Sequence, residues 1–355
     1  MKLTARFALL IAIAGGFAGS HAAVVRAGDW KAEHDAGWKA YREGRLEEAE
    51  KELRAAEKDA KAFGAEDPRF ALTLDHLAWV LLAEGKSAEA LTLAKAALVV
   101  REKKPGTKDE DLAASLNTVA SILDHEGKTA EARPYYAKCL EVAIAGTGPE
   151  NAGVAAALDN LAVADHLLGN LEAAAASYTK ALALRTKLGQ SPADIAPTMH
   201  NLAALRIDEK KYDEAKEILG RVLEMRTKAL GADHPDVAST LEALGWTHEL
   251  QGDAAKAEEL LKKAVDLYAA DLGADHPHVA RAVAKLGRAH LDQGEPAEAE
   301  ACCKKALTIY EKAGIEGAEL ASLLEDHASI LDKLGRKDEA EKVRAKAKQL
   351  HSAKP

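Results

Sequence analysis

Aromatic residues make up only 4% of the 355 residues, and cysteine occurs three times. With large rings scarce and Ala and Leu abundant, the composition is that of a folded chain biased towards helix. Cys139, Cys302 and Cys303 form no disulfide framework, because their number is odd and they follow no spacing pattern. Adjacent cysteines on a helix diverge by about 100° and bond poorly, so all three read as small buried thiols. A basic excess is also missing: 48 Lys and Arg stand against 57 Asp and Glu, a formal charge of -9. Nucleic acid is therefore excluded as an expected partner, since phosphate binding needs a concentrated basic surface.

Long apolar runs are lacking as well. The one near the start, from Phe7 to Ala14, follows Lys2 and Arg6 and is followed by small residues as far as Ala23. It falls far short of the ~20 residues a spanning helix needs. The pattern is that of a secretory signal peptide over residues 1–22, cleaved after Ala22 or, as second choice, after Ala27. No cysteine follows the run to carry a lipid anchor. The expectation is an exported protein, periplasmic or secreted, with no stable membrane insertion after cleavage.

Catalytic signatures are absent too. Neither a G-x-S-x-G elbow nor an H-E-x-x-H zinc helix is present. Gly85-Lys86-Ser87 and Gly127-Lys128-Thr129 resemble the end of a phosphate loop, but Val80 and Ile122 stand where its leading glycine belongs. His276 and His278 flank Pro277, yet the sister loop has Asp236 in place of the second His, so helix-start chemistry is preferred there to a metal. The expectation is no enzyme, no metal and no cofactor.

What the chain has instead is repetition. One pattern recurs eight times around turns at Gly44, Gly85, Gly127, Gly169, Lys210, Gly252, Gly294 and Gly335, at intervals of 41 or 42 residues. The repeats fill residues 30–350 and leave a five-residue tail, 351–355. Five residues after each turn stands Ala, and seven before it stands Gly or Ala. Small residues on both sides of a turn allow two antiparallel helices to approach closely. Apolar residues eight and eleven before the turn, such as Leu158 with Leu161 or Leu241 with Leu244, give the first helix its buried face. Segments such as GADHPDVA at Gly231 to Ala238 place a helix-stopping Gly before a helix-starting Pro. Each unit is a helix, a turn and a helix, and such pairs bury their faces only by stacking.

The small residue, turn Gly and Ala of each unit match tetratricopeptide repeats. The 42-residue period, the ADHPDVA loop and the LDNLA and MHNLA runs resemble the kinesin-light-chain subtype. That resemblance implies an all-α fold, a right-handed alpha-alpha superhelix, and a concave groove lined by the first helices that binds peptides or partner proteins without chemistry.

By the same resemblance, groove positions lie thirteen, ten, six, three and two residues before each turn. In units two to six they include Asp75, Asp124, Asp159, Asp208, Glu242 and Glu249, with no Lys or Arg, together with Trp79, Trp246, His125, His166 and His200. Asn117, Asn160 and Asn201 beside them would hydrogen-bond the backbone of an extended peptide. Acidic helix faces are often merely solvated, and Trp often fills gaps between helices. However, Trp38, Trp79 and Trp246 all stand six before a turn, and Trp is a favoured binding anchor. The expectation is a protein-interaction scaffold with a negative groove for a cationic segment, loosened by acid through its three His residues. The alternative is an accessory or chaperone-like subunit of a secreted or cell-envelope enzyme or assembly.

Overall fold

A computed structural model of the chain describes residues 30–103 and 109–352. The leader, with both of its cleavage positions, and residues 353–355 of the tail lie outside the described residues. The helices fall into two compact units, divided at Gly189. The first holds α1 (Trp30–Arg42), α2 (Leu46–Lys61), α3 (Pro68–Ala83), α4 (Ser87–Glu102), α5 (Asp109–His125), α6 (Thr129–Thr147), α7 (Ala152–Leu167) and α8 (Leu171–Lys187). The second holds α9 (Pro192–Asp208), α10 (Tyr212–Leu230), α11 (Pro235–Leu250), α12 (Ala254–Leu272), α13 (Pro277–Asp292), α14 (Pro296–Lys312), α15 (Ala318–Lys333) and α16 (Lys337–Ser352). No strand occurs among the described residues. Within each unit every helix packs on the next in sequence, so each is a helical repeat stack of four antiparallel pairs.

The turns explain the period. The seven turn glycines have φ between +76° and +83°, and Lys210 adopts the same left-handed conformation at φ +61°. The N–H that follows each bonds a carbonyl five residues back, as in Lys86 to Leu81 (2.8 Å) and Lys211 to Arg206 (2.8 Å). Such a pair of features ends one helix and satisfies its last carbonyls before the next begins. Ser87 and Thr129 are simply the first residues of α4 and α6, between helices and not after strands.

Close approach is visible at the small residues. A Cβ added to Gly37 would lie 2.7 Å from Leu53 Cγ and 3.2 Å from the Ala49 carbonyl. At Gly245 the corresponding distances are 2.8 Å to Leu261 Cγ and 3.2 Å to the Ala257 carbonyl. Ala49 and Ala257 are the residues five after their turns, and both are fully buried. Helix starts follow the loop chemistry: Asp67, Asn151, Ser191, His234 and His276 each accept an N–H of the first turn through the side chain. His276 is thus a helix cap. The three thiols are free, with Cys139 and Cys303 buried and Cys302 half-buried.

Candidate functional site

First helices present the residues ten before each turn, and the two units fill that slot differently. In the first unit Asp75 of α3 is buried against Arg101 of α4, 26 residues along the chain, with Nη1 2.5 Å from Oδ2. The same Nη1 donates to the Asp111 carbonyl and to Ser115 Oγ of α5, both at 2.5 Å, and Ser115 donates to Asp75 at 2.7 Å. Burial still dominates, and the Asp75 carboxyl is raised to about 6 against the pull of Arg101 and Ser115. Asp159 of α7 repeats the pairing with Arg185 of α8 at 2.6 Å. Asn117 of α5 occupies the slot between them, and its Oδ1 accepts from Asn160 Nδ2 at 2.7 Å.

In the second unit the slot holds His200 of α9, Glu242 of α11, Ala284 of α13 and Glu325 of α15. Arg226 of α10 takes the place of Arg101 and donates to the Asp236 carbonyl (2.8 Å) and Thr240 Oγ1 (2.9 Å) of α11. Its own repeat offers it an imidazole and no carboxylate. Glu242 is answered instead from α13: Arg281 Nε and Nη2 at 2.8 Å and Lys285 Nζ at 2.6 Å. Burial opposes the charge of Glu242, but these two cations outweigh it and hold the carboxyl well below the usual range. Burial likewise lowers the pKa of Lys285, opposed by Glu242, and that of Arg226. His200 is pushed down to about 3, first by burial and then by Arg226, with Arg281 and Lys285 adding to the effect and Glu242 opposing it. Three cations therefore act on His200, and two of them, Arg281 and Lys285, hold Glu242.

Trp246 of α11 is half-buried beside this cluster, with Lys285 Nζ 5.5 Å and the Arg288 guanidinium 4.7 Å from its ring. Glu249, also on α11, is buried and lies 3.5 Å from Arg288.

These contacts correct the expectation of uncompensated carboxylates. Asp75, Asp159, Glu242 and Glu249 each have a basic partner. These partners stand outside the groove positions of units two to six. Arg101, Arg185 and Arg226 all lie sixteen residues after a turn, on second helices, while Arg281, Lys285 and Arg288 belong to the seventh repeat. The recurrence of Arg at that second-helix position was the available signal. Acid sensitivity through His200 is corrected as well, since a pKa of about 3 keeps that ring neutral far below its ordinary range.

Other expected residues are placed as follows. Trp79 is half-buried against the first unit's core. Asp124 accepts from Thr129 at 2.5 Å, and His125 beside it is exposed. Asn160 is buried, whereas Asn201 and His166 are half-buried and Asp208 is exposed. Trp38, expected to be an exposed anchor, stacks on His76 at 3.9 Å, and His76 in turn stacks on His34 at 4.8 Å.

The tetratricopeptide repeat family's models match residues 70–107, 111–187, 194–270, 250–312 and 278–350. The chain belongs to that family. It is similar to BtubC (BKLC) of P. vanneervenii, with 26% identity over 64% of this chain and 92% of that one and a TM-score of 0.56. It also resembles a Podosopora anserina kinesin-light-chain protein with nearly identical TPR-like repeats, at 22% identity over 60% of this chain and 100% of that one, with a TM-score of 0.50. In fold it resembles aspartyl phosphate phosphatase F of Bacillus subtilis, at 12% identity over 94% of this chain and 97% of that one, with a TM-score of 0.65. No curated protein matches the sequence. These repeats make the chain a protein-interaction scaffold.

Proposed function

We propose that the chain is an exported, non-catalytic scaffold, and that the face formed by α9, α11 and α13 holds an extended segment of a protein partner. The observation that carries this reading is the surround of Trp246. The ring lies 5.5 Å from Lys285 Nζ, which Glu242 already holds, and 4.7 Å from the Arg288 guanidinium, whose contacts with Glu249 (3.5 Å) and Asp326 (3.8 Å) are long. Such a surface favours a segment that brings a carboxylate beside an apolar side chain, in place of the cationic segment expected from the sequence. The family resemblance agrees, since kinesin light chains are expected to carry a basic groove suited to acidic cargo peptides. Asn201 stands on the same first helix as His200 and is the amide offered to the peptide backbone. An accessory or chaperone-like role would use the same face.

The test screens displayed 15-residue peptides against the chain recovered from a secreting host, where a mature N-terminus at Ala23 checks the processing. Enriched peptides should be acidic and bind more weakly as salt rises. Trp246→Ala should cost on the order of 2 kcal/mol of affinity if Trp246 is the anchor. Unchanged affinity and unchanged salt dependence in a variant of equal helicity would remove the site from this face.

A further inference from the structure

The junctions between repeats carry a second recurring arrangement. At several of them, charged residues stand six after one turn and four before or one after the next. Glu50 meets Lys86 at 2.7 Å, Arg133 meets Asp165 at 2.7 Å with Asn170 also bonded to it at 2.9 Å, and Glu300 meets Arg336 at 2.6 Å. Where His248 and Asp253 fill the last two places at 3.0 Å, the first holds Lys216, whose charge acts on Asp253. In every one of these sets acid is balanced by base.

The junction of α12, α13 and α14 departs from the rule. His290 and Glu295 repeat the preceding pair, with Nδ1 2.7 Å from Oε2, but Glu258 stands at the place of Lys216. One ligand atom from each of Glu258, His290 and Glu295 lies within 4.8 Å of the other two. Two carboxylates converge on one imidazole, and the balancing Lys of the sister junction has become an acid.

We propose that Glu258, His290 and Glu295 bind a divalent transition-metal cation of the zinc class. Imidazole nitrogen with carboxylate oxygens is a donor set such ions accept, at about 2.0–2.2 Å from each, with water completing the coordination. Ligands around a tetrahedral zinc stand about 3.3 Å apart, so the donors must draw in. Glu295 has the freedom to do so, its side chain being 46% exposed, whereas His290 is held at 10%. Glu258 is bonded by Gln293 at 2.7 Å and by Lys262 one turn along α12. The Lys262 side chain is 55% exposed, and an exposed i,i+4 pair of that kind is weak enough for a metal to displace. Cys302 is half-buried, and burial first of all raises its thiol pKa, so the set is nitrogen and oxygen without thiolate. Bound metal would tie the sixth repeat's second helix to both helices of the seventh.

Isothermal titration of the full chain with zinc chloride, beside thermal melts, tests this. The wild-type chain is expected to bind one zinc ion saturably and to melt higher as zinc is added. Glu258→Lys restores the residue of the sister junction, and Glu295→Gln keeps an amide within reach of His290 at an exposed helix start. Both should keep the wild-type circular dichroism, lose the zinc-dependent rise in Tm and bind zinc at least ~10-fold more weakly. Absence of saturable binding in the wild type, or equal affinity and an equal Tm rise in the variants, overturns the proposal.

Discussion

In the first unit the acid ten residues before a turn is answered from its own repeat, Asp75 by Arg101 and Asp159 by Arg185. In the second unit Glu242 is answered from the next repeat by Arg281 and Lys285, and Arg226 remains beside an imidazole. The backbone frame is the same in both, down to Arg101 and Arg226 reaching the carbonyl ten residues on and the hydroxyl fourteen on. A shared frame thus leaves the source of the compensating charge free to vary: the first unit's slot acids are met within their own repeats, whereas Glu242 is met from the next.

The largest effect that could break this contrast comes from removing the arginines. Arg101→Met strands the buried Asp75 carboxyl and is expected to cost about 3–5 kcal/mol at pH 7.5. The cost should shrink towards pH 5, because a carboxyl already raised to about 6 takes up a proton more readily once its cation is gone. Arg226→Met strands no carboxylate, because the Asp236 carbonyl and the Thr240 hydroxyl it leaves still bond each other, and should cost about 1 kcal/mol. Equal losses in urea titrations of the two variants would erase the distinction between the units.

Packing should not follow the division. Gly37→Ala and Gly245→Ala each push a methyl group to within 3 Å of a buried leucine, Leu53 and Leu261. Overpacking of this kind is expected to cost about 1–3 kcal/mol in either unit. Gly220→Ala on α10 meets nothing within 4 Å and serves as the control, with a gain of up to about 1 kcal/mol from helix propensity. Loss in one unit alone would mean that the helix crossings differ.

The smallest effect concerns pH. An unfolded His binds its proton near pH 6.5, whereas folded His200 does so near 3 and folded His278 near 4. As pH falls from about 6.5 to 4 the unfolded chain takes up protons that the folded second unit refuses, so stability falls. In the first unit His34 and His76 act in the same direction, while Asp75, raised to about 6, opposes them by gaining its proton early in the fold. Replacing His200 by Gln should make the acid slope shallower by about 1 kcal/mol per pH unit in melts between pH 7 and 5. A parallel slope would place the uptake elsewhere.

How much could be read beforehand follows from what is local. The turn residue, the Gly or Ala seven before it and the Ala five after it repeat because each obeys a constraint within its own helix pair. The eight helix pairs and their close crossings were therefore legible. Charge compensation was not. The partner of Glu242 lies 39 residues away on α13, and the partner of Asp75 lies on a second helix, outside the set of first-helix positions inspected. Asn117 and Asn160 were read as hands for a peptide, yet they bond each other across 43 residues. The Glu258, His290 and Glu295 cluster escaped notice for the same reason, since three helices supply it and no short motif marks it.

Arg101 and Arg226 also bear on how the stacks come apart. Each buried guanidinium, carried by a second helix, is fastened to the first turns of the pair that follows, and Arg101 also to Asp75 of its own pair. A repeat cannot fray away alone without exposing the socket of its neighbour. Opening from an end should therefore advance smoothly only as far as these residues, then pause until two repeats release together. Hydrogen exchange in the native state would show this as amides of α4 with α5, and of α10 with α11, sharing common opening rates as islands of joint protection.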